Sequence, residues 1–144
     1  MLIDLIPEFL AVLRAGDPDA AFQRYLEAHY PVLSAYWRNY VLDLESPHAR
    51  EVIARAVRAD RRDLLELIDS VDVGQLVADA VSRAEELFEI DRPADTYLLV
   101  AMAAAHAGEL VVGGRGVNIV CPEPFTGLAK TDTFGIGPAP WLIS

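Results

Sequence analysis

Three histidines, one cysteine and a surplus of carboxylates are the groups in this chain with the means to do chemistry. His29, His48 and His106 are dispersed, and no two stand at the i, i+4 spacing that aims two imidazoles at one ion from a helix. His29 shares a helical face with Tyr25 and reads as a packing residue. His48 follows a helix start and reads as solvated. His106 lies near the predicted sheet without a visible carboxylate or thiol partner. Cys121 follows a β-branched run beside Pro122, with no nearby histidine to draw off its proton, so it reads as packed rather than nucleophilic. The carboxylates of Glu85-Glu86, and of Asp69 with Asp72, lie on or next to the polar sides of predicted helices, where solubility accounts for them. Tyr25, Tyr36, Trp37 and Tyr40 recur at helical spacing, which favours core packing over a ligand pocket. Gly113 to Gly116 could cradle a phosphate only if a helix followed, and Val117-Asn118-Ile119-Val120 instead continues as a strand; a hairpin turn is the better reading. These residues predict no catalytic group and no metal ligand within the chain.

The elements that would position such groups come from one domain spanning residues 1–144. The chain is 53% hydrophobic, enough for a sizeable core at this length. Its net charge of -10 repels phosphate backbones and anionic membrane surfaces, so neither nucleic acid nor membrane is an expected partner. A single cysteine excludes an internal disulfide and a four-cysteine zinc site, and it fits a reducing, cytoplasmic setting. Asp4, Pro7 and Glu8 interrupt the apolar start, which reads as an amphipathic helix over residues 1–13 rather than a signal peptide.

Residues 1–92 carry helical periodicity, with about four to five helices expected. Asp17-Pro18 and Ser46-Pro47 pair an N-cap candidate with proline at the first helical position. Pro31 ends or kinks a helix, and Leu33, Tyr36, Trp37 and Tyr40 continue the pattern beyond it. Val52, Ala56 and Ile53 form the stripe of a further helix. Residues 73–90 match the 3.6-residue period most closely, and Asp91-Arg92-Pro93 stops them. Seven of the nine glycines lie beyond residue 92, and residues 93–144 read as sheet and loop. Residues 96–102 suit a buried strand, with a helix ending at Gly108 as the rival. Residues 109–112 and 117–120, joined by Gly113-Gly114-Arg115-Gly116, form a hairpin. The expected fold is therefore α+β, a helical N-terminal half packed on a small antiparallel sheet or hairpin.

The stretch from Asp95 to Gly127, DTYLLVAMAAAHAGELVVGGRGVNIVCPEPFTG, resembles the segment that precedes the zinc motif in a family of uncharacterised, predicted zinc-dependent proteases of the zincin class. In that family a helical region leads into a strand, a glycine-containing turn and a second strand ending near an aromatic and a glycine. A loop and a His-Glu-x-x-His helix follow. Val117 to Val120, Phe125 and Gly127 occupy the corresponding places, and Pro140-Trp141-Leu142-Ile143-Ser144 resembles the opening turn of the next helix. The family's two zinc histidines and general-base glutamate have no counterpart here, so no catalytic or metal-binding residue is carried over.

The resemblance implies a non-catalytic N-terminal portion of a zincin-type peptidase, truncated at its C-terminus and inactive alone. Zinc is expected only if the natural chain continues into the His-Glu-x-x-His helix, where it would polarise the scissile carbonyl while the glutamate deprotonates the attacking water. It also implies that a peptide or protein substrate adds as a strand to the backbone of Glu109, Leu110, Val111, Val112, Val117, Asn118 and Ile119. The competing expectation is a self-contained protein-interaction or ligand-binding module without enzymatic activity, self-associating as a homo-oligomer through its apolar tail.

Overall fold

The computed structural model describes residues 1–100 and 107–122. Among them the elements run β1 (Leu2–Asp4), α1 (Ile6–Arg14), α2 (Pro18–Ala28), α3 (Tyr30–Tyr40), α4 (Ala49–Arg58), α5 (Arg62–Ser70), α6 (Val73–Leu87), β2 (Asp95–Leu98), β3 (Ala107–Val112) and β4 (Arg115–Val120). This is the expected α+β arrangement, helices in the N-terminal part and most strands after them.

Aspartate and proline set several helix starts. Asp17 caps α2 by accepting from the Ala20 N–H at 3.2 Å, and Asp72 caps α6 by accepting from Gln75 at 3.0 Å. Pro7, Pro18 and Pro31 each lie in a first turn, where the missing N–H has no intrahelical acceptor to lose. His29 ends α2 and begins α3, so Pro31 marks a new helix.

The sheet order is β1-β2-β4-β3. β1 pairs parallel with β2, β2 parallel with β4, and β3 antiparallel with β4. The expected small antiparallel sheet is thus a mixed one. The expected single helix over residues 1–13 is corrected too, because Leu2–Asp4 pairs with Thr96–Leu98 and the helix starts only at Ile6. Local periodicity cannot register a partner strand so far along the chain.

Three further boundaries differ. The inward stripe of α4 is Ala49, Ile53 and Val57, one position off the expected Val52 and Ala56. α5 is an additional helix that buries Leu64 and Leu67. α6 ends at Leu87, before the Asp91-Arg92-Pro93 stop. There Ile90 N–H donates to the Glu85 carbonyl at 3.1 Å and Glu89 N–H to Glu86 at 3.4 Å, with Glu89 left-handed at φ 50°. That is a Schellman closure with glutamate where glycine is usual. The strand expected over 96–102 is confined to Asp95–Leu98, and residues 101–106 lie outside the described residues.

The core is one cluster in which helices and sheet meet. Phe22 packs on Tyr25 and Trp37 at centroid separations of 5.7 and 6.3 Å, and Phe9 meets Tyr25 edge-on at 6.1 Å. Such tilted pairs add about 0.5–1.5 kcal/mol each beyond the area they bury. From the sheet side Leu98, Leu99, Ile119 and Cys121 are fully buried. Tyr25, Tyr36 and Trp37 are therefore core residues, as their spacing suggested.

Candidate functional site

The hairpin is tighter than its four-residue glycine run suggested. Gly113 and Gly114, at φ 56° and 76°, form a two-residue loop, while Arg115 and Gly116 already belong to β4. Positive φ at both central positions matches the twist of the flanking strands, and glycine adopts it without strain.

That turn determines which backbone groups face outward. In a two-residue hairpin the closing pair, Val112 with Arg115, exchanges both hydrogen bonds, and so do alternate pairs behind it, Leu110 with Val117 and Gly108 with Ile119. The N–H and C=O groups of Ala107, Glu109 and Val111 point the other way. β3 is the last strand of the sheet, so these groups have no strand partner among the described residues. All three residues are solvent-exposed, Val111 to 72%.

Of the backbone positions proposed for substrate, Glu109 and Val111 lie on this open edge. Leu110 and Val112 direct their backbone groups to β4. Val117, Asn118 and Ile119 are in an interior strand held by β3 on one side and β2 on the other, so they offer no free edge. Ala107 was missed because only the pairing phase, set by the two-residue turn, brings it into line.

The inner face of the hairpin fixes it to the body. Leu110, Val117 and Ile119 are buried. Gly108 lies beneath the Tyr40 ring of α3, and a Cβ there would collide with the Tyr40 hydroxyl and crowd its Cζ at 3.2 Å. On the opposite face the paired residues Thr96, Asn118 and Glu109 form a row ending in the Glu109 carboxylate at the open edge. Glu109 makes no ion pair among the described residues.

The other candidate groups are placed elsewhere. His29 packs against Tyr25 at 5.6 Å between centroids, and its Nε2 meets Glu8 Oε2 at 2.6 Å. The sequence could not show that pairing, since Glu8 is on another helix. Burial, followed by the nearby Glu8 and Cys121, pushes the Tyr25 hydroxyl well above the ordinary tyrosine range, so Tyr25 stays neutral. His48 is exposed at the start of α4, and Cys121 is a buried free thiol. Asp69 and Asp72 line a cleft with Asp4, Arg14 and Gly74. Burial raises the Asp4 pKa, the hydrogen bond from Ile6 N–H lowers it, and the charge of Asp72 raises it. His106, Phe125, Gly127 and the Pro140–Ser144 turn lie outside the described residues. Among the described residues no three histidine, cysteine, aspartate or glutamate side chains are grouped to hold a metal ion, so these residues do not fit a zinc site. No helix among them is long and apolar enough to cross a membrane.

No family model matches the chain, and neither a curated protein nor a solved structure matches it.

Proposed function

We propose that this chain is the non-catalytic N-terminal portion of a zincin-type zinc metallopeptidase, inactive by itself, whose β3 edge receives a peptide as an added strand. The observation that supports the reading is the outward-facing backbone of Ala107, Glu109 and Val111 on an antiparallel edge strand of a mixed sheet. Main-chain hydrogen bonds at such an edge hold an extended peptide whatever its sequence, and adjacent side chains add preference. The zinc ligands and general base belong to residues beyond this chain.

An isotope-labelled sample of the 144-residue chain, titrated with an extended peptide, tests the binding half. The amides of Ala107, Glu109 and Val111 shift and gain exchange protection, while Leu110 and Val112, already bonded to β4, change little. Perturbations centred elsewhere overturn the edge as the site. The peptidase half is tested by reading the natural gene past Ser144: a His-Glu-x-x-His sequence within about ten codons supports it, and its absence there favours the self-contained interaction module instead. Hydrolysis by the chain alone with added zinc would overturn its non-catalytic assignment.

A further inference from the structure

We infer that the β3 edge selects an extended peptide with a basic side chain opposite Glu109, and that the same carboxylate opposes edge-to-edge pairing with a second copy of this chain. The inference rests on the reading of β3 as a peptide-binding edge and adds the chemistry of the ligand.

Only one antiparallel register lets an incoming strand use all three outward residues: its central residue stands opposite Glu109 and its flanking residues two positions away stand opposite Ala107 and Val111. Directly paired residues place their side chains on the same face, with Cβ atoms about 4.5–5.5 Å apart. The central side chain therefore lies beside the Glu109 carboxylate and extends the Thr96–Asn118–Glu109 row. A lysine or arginine there gains an opposite-charge pair with a carboxylate that has no ion-pair partner among the described residues. The flanking apolar side chain meets Val111, exposed to 72% beside Gly116, which has no side chain of its own to cover it.

A second copy in that register fares differently. Two-fold pairing of β3 with itself sets Glu109 directly against Glu109, and like charges opposite each other destabilise a strand pair. Each chain also carries a net charge of -10, so approach is opposed over longer range. A charged residue in the middle of an exposed edge is a known means of keeping such an edge from self-pairing. The net negative charge that opposes a second copy also draws a cationic peptide toward the edge.

The test uses end-blocked fluorescent peptides Val-Thr-Lys-Thr-Val and Val-Thr-Glu-Thr-Val, and a Lys peptide N-methylated on alternate amides, each titrated into the 144-residue chain at low salt. The Lys peptide binds about two- to fivefold more tightly than the Glu peptide, the range that a cross-strand charge pair confers. Glu109→Gln removes the preference, Glu109→Lys inverts it, and high salt compresses it. N-methylation abolishes binding. Circular dichroism and melting of both variants verify that they fold, and the exposure of Glu109 makes that the expected result.

Equal affinities for the Lys and Glu peptides, with N-methylation still abolishing binding, overturn the basic preference and leave strand addition standing. No binding by either peptide, or binding insensitive to N-methylation, overturns strand addition itself. Sedimentation finds the wild-type chain free of β3-mediated dimers, whereas a wild-type dimer dispersed by the Lys peptide shows that a second copy occupies the edge and overturns the inference.

Discussion

The two edges of the one sheet have the same backbone chemistry and opposite fates. β1 has three residues, and the chain leaves it at once: Leu5 N–H donates to the Leu98 carbonyl at 2.8 Å and Ile6 opens α1. The Asp4 carboxylate accepts from Ile6 N–H at 2.9 Å and lies 3.0 Å from where a Cβ on Gly74 would be, so α6 starts close beside that strand. β3 has six residues, and the glycine turn that ends it returns the chain along its inner side only. An edge is closed or left open by what the neighbouring residues do next: Pro7 in a first turn commits the chain to a helix, whereas Gly113-Gly114 commits it to a hairpin.

Hydrogen exchange is the most severe way to break this contrast. The amides of Leu5 and Leu99, bonded to the Leu98 and Val120 carbonyls, exchange at least about a hundredfold more slowly than those of Ala107, Glu109 and Val111. Comparable protection at both edges shows that β3 is covered. Truncation gives the next largest effect. Leu5, 1% exposed where β1 meets α1, loses about 2–5 kcal/mol on replacement by alanine, measured by urea unfolding.

Gly108 sharpens the comparison from the inner face of β3. Gly108→Ala drives a methyl group into the Tyr40 hydroxyl and lowers stability by about 1–3 kcal/mol, and adding Tyr40→Phe restores part of that loss because the hydroxyl makes the closest approach. Additive losses in the double-mutant cycle refute the packing of Tyr40 over Gly108.

Asp4 gives a smaller, pH-dependent effect at the closed edge. Its pKa is raised above the ordinary 3.8, chiefly by burial, so the folded state holds that proton more tightly than the unfolded chain does. The resulting stabilisation is fully present below the ordinary value and is lost as pH rises through the raised one. Asp4→Asn keeps an acceptor for Ile6 N–H and avoids the ionised state. It therefore raises Tm slightly at neutral pH, and the gain shrinks as pH falls below the ordinary carboxylate range. The opposite trend removes burial as the dominant cause. Least of all is expected at the open edge, where Val111→Thr leaves unfolding free energy within about 0.5 kcal/mol.

Much of the local structure was legible in the residues themselves. Asp17-Pro18 and Asp72 mark helix starts because a carboxylate can accept from the first turn's N–H groups, and Gly113-Gly114 marks a hairpin because positive φ is unstrained there. The change from helical periodicity to β-branched runs near residue 92 separates α6 from β2. The candidate edge was legible only in part: β-branched residues around a glycine turn identify two strands, and nothing in them says which one lies outermost.

The sequence by itself determined where the chain turns, where helices begin and which half is mostly helical, since those properties depend on φ preferences and on side chains a few positions apart. The tertiary structure decided that Leu2–Asp4 is a strand, that His29 meets Glu8, that the sheet is mixed, and that β2 docks on β4 and leaves β3 open. Each of those is a pairing between residues distant along the chain, chosen by the hydrogen bonds and apolar surface that the folded body brings together, and no local pattern encodes it.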